Sequence, residues 1–93
     1  MEDLTIRLRL SGRVQGVGFR YFTKKTAQKI GISGWVRNES DGTVFIEAHG
    51  DSERIEKFVH SMEGGPPHAK VTSVQHETIE KSEINLNGFE IRY

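Results

Sequence analysis

The fold is decided by residues 4–20, which read LTIRLRLSGRVQGVGFR. Residues 4–10 alternate apolar with polar side chains, a pattern typical of a β-strand with one buried face. Three glycines follow within residues 12–18, and glycine permits backbone conformations that are closed to other residues. No glycine or proline interrupts residues 19–30, which favours a helix that Gly31 ends. This stretch therefore predicts a strand, a shaped loop and a helix.

The rest of the chain predicts a hairpin, a second helix and two further strands. The Asp-Gly pair at Asp41 and Gly42 is typical of a hairpin turn. Asp51 is the predicted N-cap of the second helix, and two glycines at positions 64 and 65 end that helix. The other predicted elements are strands at residues 35–38, 43–49 and 69–78, an exposed loop at residues 79–88, and a short closing strand at residues 89–93.

This order of elements is typical of the α+β, ferredoxin-like βαββαβ fold, a two-layer sandwich with two helices on one face of a mostly antiparallel sheet. The chain has 93 residues, too few for two independent cores, so we expect one domain spanning residues 1–93. A right-handed crossover makes the first two strands parallel, with the third between them. The loop after the first strand and the end of the second strand, at Asn38, are then expected on one rim, about 10 Å apart.

Composition excludes several classes of function. Thirteen Lys and Arg residues balance thirteen Asp and Glu residues, so no long-range basic field favours nucleic acid or an anionic membrane. Without cysteine the chain has no thiol nucleophile, disulfide or cysteine-ligated metal. Its four histidines lack ligand spacing, so we predict no metal site. No apolar run or signal segment is apparent, which indicates a cytoplasmic protein with no membrane partner.

The glycine-rich loop has the features of an anion site. Successive backbone amides of Gln15, Gly16, Val17, Gly18 and Phe19 can point inward, and the start of the following helix adds its positive end. Arg20 offers a planar guanidinium that suits phosphate or carboxylate. The spacing matches neither a Walker loop nor a dinucleotide fingerprint, and on glycines alone a plain connection with a solvated Arg20 is equally consistent.

Two motifs resemble one family, the acylphosphatases. The stretch SGRVQGVGFR at residues 11–20 is similar to the phosphate-binding signature of that family, and GWVRN at residues 34–38, followed by Asp41 and Gly42, is similar to its second signature. The resemblance covers nearly the whole chain, through the closing FEIRY at residues 89–93.

The resemblance implies hydrolysis of the carboxyl–phosphate anhydride of acyl phosphates, with no metal and no other cofactor. It implies that Arg20 binds the phosphoryl group, that the loop amides of residues 15–19 bind its oxygens, and that Asn38 orients the attacking water. The expected partners are an acyl phosphate substrate and inorganic phosphate, the latter as product and competitive inhibitor. We expect the protein to act as a monomer.

Two alternatives of other classes stay open at this point. An RNA-binding module of the same topology stacks bases on sheet aromatics, and Phe45 on the outer face of the third strand is the one feature in its favour. Against it stand the missing RNP signatures and the zero net charge. The other alternative is a regulatory domain that binds a small anion in the same loop without catalysis, although an asparagine that positions water would then have no purpose.

Overall fold

A computed structural model describes residues 2–80 and 88–93. Its elements follow the predicted order, and their bounds in the chain are β1 (Asp3–Arg13), α1 (Phe19–Ile30), β2 (Ser33–Asn38), β3 (Val44–Asp51), α2 (Ser52–Gly64), β4 (Lys70–Ile79) and β5 (Phe89–Arg92). The predicted ferredoxin-like α+β fold is confirmed. Neither helix of the described part has the length and apolar character that crossing a bilayer requires.

The strands form one sheet in the order β4-β1-β3-β2-β5. β3 is antiparallel to both β1 and β2, so those two strands run in the same direction and end on one rim, as predicted. The register places Leu10 of β1 and Asn38 of β2 on either side of Val44. Two strand spacings, about 10 Å, therefore separate the β1 side of this rim from Asn38.

The core lies between the sheet and the two helices, and the periodicity of the sequence accounts for it. Alternate residues of β1 and β3 turn their apolar side chains toward the helices and are almost fully buried. Core residues that the structure buries on β1, β3 and α2 are Ile6, Leu8, Leu10, Val44, Ile46, Ala48, Ile55, Phe58 and Met62, whereas Leu4 and Val59 are partly buried at the edge of the same cluster. The carboxylate of Asp51 accepts a hydrogen bond from the Arg54 amide at 2.9 Å, which confirms the predicted N-cap of α2.

Strand boundaries differ from the predictions where pairing extends a strand. β1 continues beyond Leu10 to Arg13, because its ladder with β4 resumes after an irregularity between Ser11 and Gly12. β4 reaches Ile79, which pairs with Thr5, so the prediction of a loop beginning at residue 79 is wrong there. Most of that predicted loop, residues 81–87, lies outside the described residues.

Candidate functional site

The cradle loop, residues 14–18 between β1 and α1, has a backbone suited to an anion. Gly16 and Gly18 have positive φ angles of 74° and 78°, while no residue other than glycine has a positive φ in the described chain. The sign of φ therefore alternates from Gln15 to Gly18. Such alternation turns successive N–H groups toward one side and forms an anion-binding concavity. This conformation explains why the loop needs glycine at two alternate positions.

The amides that follow the cradle loop are also free to bind a ligand. Gly18 is the N-cap of α1, and no side chain of the described residues caps this end. The first backbone bond of the helix is donated by Phe22 to the carbonyl of Gly18, at 3.0 Å. Within the described residues, the amides of residues 15–21 donate to no internal acceptor. The helix thus begins with unpaired donors and the positive end of its dipole, both of which favour an anion.

A cavity of about 290 Å³ lies beside these amides. It brings together five of the predicted site residues from two distant parts of the sequence: Gly16, Gly18, Phe19, Arg20 and Asn38. Its remaining lining residues are Val14, Tyr21, Ile91 and Tyr93, so no Asp or Glu side chain of the described residues lines it. A larger groove of about 700 Å³ lies between α2 and the β1–β4 edge, and it contains none of the predicted residues. The smaller cavity is therefore the candidate site.

Two predicted loop residues do not line this cavity. Val17 packs its side chain against the hydrophobic core, and the side chain of Gln15 is directed to the hairpin between β2 and β3. The prediction for both concerned their backbone amides, which belong to the unpaired series described above.

Arg20 lies in the first turn of α1, and its charge has no counter-ion among residues 2–80 and 88–93. Its guanidinium stacks on the ring of Tyr93, with 4.7 Å between Cζ and the ring centroid. Among the described residues, no carboxylate comes within ion-pairing distance of it. Stacking restricts the orientation of the guanidinium without neutralising it, because the ring contributes a quadrupole and no charge. Arg20 can therefore offer its full charge to a ligand.

Asn38 is the last residue of β2, opposite Val44 of β3. Its backbone is fixed by the sheet ladder, and its half-buried carboxamide lines the cavity. This side chain has no hydrogen-bond partner within residues 2–80 and 88–93. A carboxamide presents both donors and an acceptor, so Asn38 can hold a water molecule or a polar ligand group.

The sequence prediction missed the side chain of Gln15. Its Nε2 donates to the carbonyl oxygens of Glu39 and Thr43, at 2.8 and 2.9 Å. These acceptors are backbone groups 24 and 28 residues away, and a main-chain carbonyl leaves no trace in a sequence pattern. Only the folded topology, which brings the cradle loop to the hairpin, could have revealed this contact.

The turn that receives Gln15 is held by its own hydrogen bonds. Asp41 Oδ1 accepts from the Thr43 amide at 3.0 Å and from the Thr43 hydroxyl at 2.6 Å. Hydrogen bonds from the Thr43 hydroxyl and amide lower the pKa of Asp41, since they favour its charged form. Arg9 donates to the Thr43 hydroxyl at 3.0 Å and adds a further favourable charge.

Two tyrosines form an apolar rim around the cavity, and sequence reasoning did not assign them to the site. Tyr93 and Tyr21 are 96% and 62% exposed, and they are the large hydrophobic residues that the described chain leaves exposed. Ile91 lines the cavity beside them. The site therefore combines a polar, positively charged end with an apolar rim.

Comparison with known proteins agrees with this geometry. A sequence model of the acylphosphatase family matches residues 6–91. The chain belongs to the acylphosphatase family. An acylphosphatase of Archaeoglobus fulgidus is 43% identical over 91 residues, which is 97% of this chain and 99% of that protein. An acylphosphatase of Thermotoga maritima is 43% identical over 88 residues, covering 95% and 96% of the two chains. The crystal structure of acylphosphatase from Bacillus subtilis matches with a TM-score of 0.91 and 40% identity, covering 97% of this chain and 99% of that one.

These likenesses confirm the predicted acylphosphatase family and the class of enzyme, a hydrolase. They extend over almost the full length of the relatives, so the family signature is not confined to the cradle loop. Within the described residues, no group of three or more His, Asp or Glu side chains is arranged to hold a metal ion.

The open face of the sheet gives no support to the RNA-binding alternative. Trp35 and Phe45 stack on each other there, with 5.6 Å between ring centroids. Arginines cover both rings: Arg9 lies over Phe45, Arg92 lies over Trp35, and Arg37 lies near both. Base stacking needs accessible ring faces, and Trp35 is only 8% exposed. These aromatic rings pack within the sheet.

Proposed function

We propose that this chain hydrolyses acyl phosphates at the carboxyl–phosphate anhydride bond, giving a carboxylate and inorganic phosphate. One observation carries the proposal. Within the part of the chain that the structure describes, one cavity without Asp or Glu in its lining contains the unpaired amides of the cradle loop, the guanidinium of Arg20 without an ion pair, and the carboxamide of Asn38 without a hydrogen-bond partner. Each of these groups suits one part of the reaction.

The amides of residues 15–21 and Arg20 would bind the phosphoryl oxygens. Phosphoryl transfer has a loose transition state whose negative charge is spread over those oxygens. Donors that are already oriented stabilise this charge without reorganising during the reaction. The helix start and the stacked guanidinium have this property, because no acceptor or carboxylate of the described residues competes for them.

Asn38 would place the attacking water opposite the leaving carboxylate. The water oxygen forms a bond to phosphorus, and the bond from phosphorus to the acyl oxygen breaks, so its electron pair leaves with the carboxylate. The proton of the water passes to an oxygen of the departing phosphate. A carboxylic acid has a pKa of about 4, so the leaving group needs no general acid. A neutral carboxamide that orients water is then sufficient.

Metal independence follows from the same chemistry and is part of the proposal. The charge that a divalent cation would neutralise is met by the main-chain donors and by Arg20.

The apolar rim of Tyr21, Ile91 and Tyr93 would contact the acyl group, which is the apolar part of the substrate. Cytoplasmic location and a monomeric state stay predictions, and light scattering during size-exclusion chromatography tests the second.

Hydrolysis of a synthetic acyl phosphate tests the proposal. Purified protein, assayed with a chelator in excess, should release the carboxylate and phosphate at a rate that added magnesium does not raise. Inorganic phosphate should inhibit competitively. An alkyl phosphate monoester, whose alcohol leaves far less readily, should not be hydrolysed. No acyl phosphate hydrolysis, or activity that the chelator abolishes, would contradict the proposal.

Replacing Asn38 tests whether the protein is an enzyme or a regulatory domain that binds an anion without catalysis. Asn38→Ala should keep the inhibition or binding constant of phosphate within about twofold, because the amides and Arg20 remain. Turnover should fall by about 10²-fold, the scale for loss of one positioned polar group. Lys29→Ala, which removes a side chain from the far end of α1, is the matched control and should leave both quantities unchanged. Equal loss of phosphate binding and turnover would contradict the role of Asn38.

A further inference from the structure

The side chain of Gln15 joins the two halves of the site. A single nitrogen, Nε2, donates both of its hydrogens to carbonyl oxygens of the β2–β3 turn, residues 39–43: one to Glu39 at 2.8 Å and one to Thr43 at 2.9 Å. Both contacts are partly buried, which reduces competition from water. Among the described residues, no other hydrogen bond or ion pair links the cradle loop to this turn.

The chain neighbours of the bonded residues line the cavity. Gly16, which follows Gln15, lies on the anion-binding side, and Asn38, which precedes Glu39, lies on the opposite side. The hydrogen bonds of Gln15 are therefore one residue away from each wall of the site. A change in their length would alter the separation of the cradle amides and the Asn38 carboxamide.

The turn keeps its own structure without Gln15. The amide of Glu39 donates to the Thr43 carbonyl at 2.9 Å, and the Gly42 amide donates to the Glu39 carbonyl at 3.2 Å. Asp41 accepts two further hydrogen bonds from Thr43. Loss of the Gln15 donors should therefore separate two intact segments and leave the fold in place.

We propose that Gln15 is a positioning residue for hydrolysis: its carboxamide fixes the cradle loop against the β2–β3 turn and so sets where Asn38 holds water relative to the bound phosphoryl group. This inference rests on the hydrolysis proposed above. It concerns the side chain of Gln15, which acts through Asn38, and is separate from the expected contribution of the Gln15 amide to anion binding.

Gln15→Met tests the inference, because methionine has a similar length and no donor. We expect kcat to fall by about tenfold, the scale of one neutral hydrogen bond expressed in the transition state. The inhibition constant of inorganic phosphate should stay within about twofold, since the amides and Arg20 are unchanged. Gln28→Met makes the same chemical change on the exposed face of α1 and should have no effect. An unchanged kcat in active, folded Gln15→Met protein would overturn the inference.

A double-mutant cycle tests whether Gln15 acts through Asn38. In an Asn38→Ala background there is no carboxamide to position, so Gln15→Met should cause no further loss of turnover. A second tenfold loss in that background would overturn the inference, because it would indicate an effect independent of Asn38. If Gln15 only stabilised the fold, Gln15→Met would lower turnover by the same factor with and without Asn38.

Gln15→Glu provides a pH-dependent readout. The introduced carboxylate faces two carbonyl oxygens and has no donor, so turnover at neutral pH should be lower than in Gln15→Met. Protonation supplies one O–H donor, and the repulsion from the carbonyls raises the pKa of the introduced group above the ordinary value of about 4.3. The kcat ratio of variant to wild type should therefore rise as pH falls toward 5. A ratio that is independent of pH would overturn the inference.

Nuclear magnetic resonance tests the contact between Gln15 and the β2–β3 turn independently of any measurement of hydrolysis. In the wild-type protein, the side-chain amide protons of Gln15 should exchange with solvent more slowly than those of Gln28, which is exposed. Equal exchange would overturn the proposed restraint. An inactive wild-type protein with slow exchange at Gln15 would instead contradict the proposed hydrolysis while leaving the contact established, so the two failures are distinguishable.

Discussion

Removal of the Arg20 side chain should affect catalysis far more than folding. Arg20 has no carboxylate partner within the described residues, so Arg20→Ala leaves no unpaired buried charge behind. The structural contact that is lost is stacking on Tyr93, whose side chain is 96% exposed. Cation–π contacts at exposed sites contribute about 0.5–1 kcal/mol, which bounds the expected loss of stability.

The loss of turnover should be much larger. Two unit charges 4 Å apart interact by about 4 kcal/mol at the effective dielectric constant of about 20 that applies near a protein surface. Removing one preorganised donor from comparable sites costs about 2.7–4 kcal/mol, or 10²–10³-fold in kcat. We therefore expect Arg20→Ala to lose at least about 10²-fold in kcat. Arg20→Lys should lose less, because it keeps the charge and loses only the planar fork.

Initial rates with a synthetic acyl phosphate, measured alongside urea unfolding, provide the assay. Phosphate should also raise the Tm of the wild-type protein, because ligand binding stabilises only the folded state. This rise should be abolished in Arg20→Ala. Turnover within about twofold of wild type would refute the reasoning, and so would a stability loss large enough to account for the lost activity.

Three further predictions use other features of the structure. Gly18→Ala should lower the free energy of unfolding by about 1–2 kcal/mol, from its positive φ alone, since an added Cβ meets open space. Gly12→Ala should lower the free energy of unfolding further, because its added Cβ would collide with the Lys70 carbonyl. Urea unfolding measures both variants, and equal losses of stability would contradict this geometry. Asn38→Asp should raise the inhibition constant of phosphate at least about tenfold through charge repulsion, and an unchanged constant would place residue 38 away from the anion. Hydrogen bonding lowers the folded-state pKa of Asp41, so its stabilisation is present above the unfolded value of 3.8 and is lost as pH falls through the lower folded value. Asp41→Asn should reduce this acid-induced loss, and parallel unfolding profiles of variant and wild type between pH 5 and 2 would contradict it.

The sequence could predict those parts of the fold that depend on local chemistry. Alternation in residues 4–10 and the N-cap at Asp51 are local signals, and both are confirmed. The extension of β1 to Arg13 was missed because it depends on pairing with β4, far along the chain. A single local signal, the glycines of the cradle loop, did not distinguish an anion site from a plain connection.

The candidate site was predictable in part because a topological rule joined two motifs. The crossover rule predicts Asn38 on the rim of the cradle loop, and the cavity is lined by both. No comparable rule could reveal the Gln15 contact, whose acceptors are main-chain carbonyls. The sequence predicts Tyr93 only as part of the closing strand, because its stacking on Arg20 depends on where β5 meets α1.

The position of Val44 between Leu10 and Asn38 has a consequence for protein design. One intervening strand fixes the gap between the two strand ends that carry the site, and main-chain hydrogen bonding makes that gap similar in scaffolds with this topology. The side chain of Gln15 then sets the finer placement of the cradle loop across it. Loops elsewhere can lengthen, and the rim can change its side chains, without altering the gap. Transplanting residues 14–20 into an inactive scaffold, with an asparagine ending its second strand and a glutamine to link loop and hairpin, is therefore the smallest graft that should transfer the reaction.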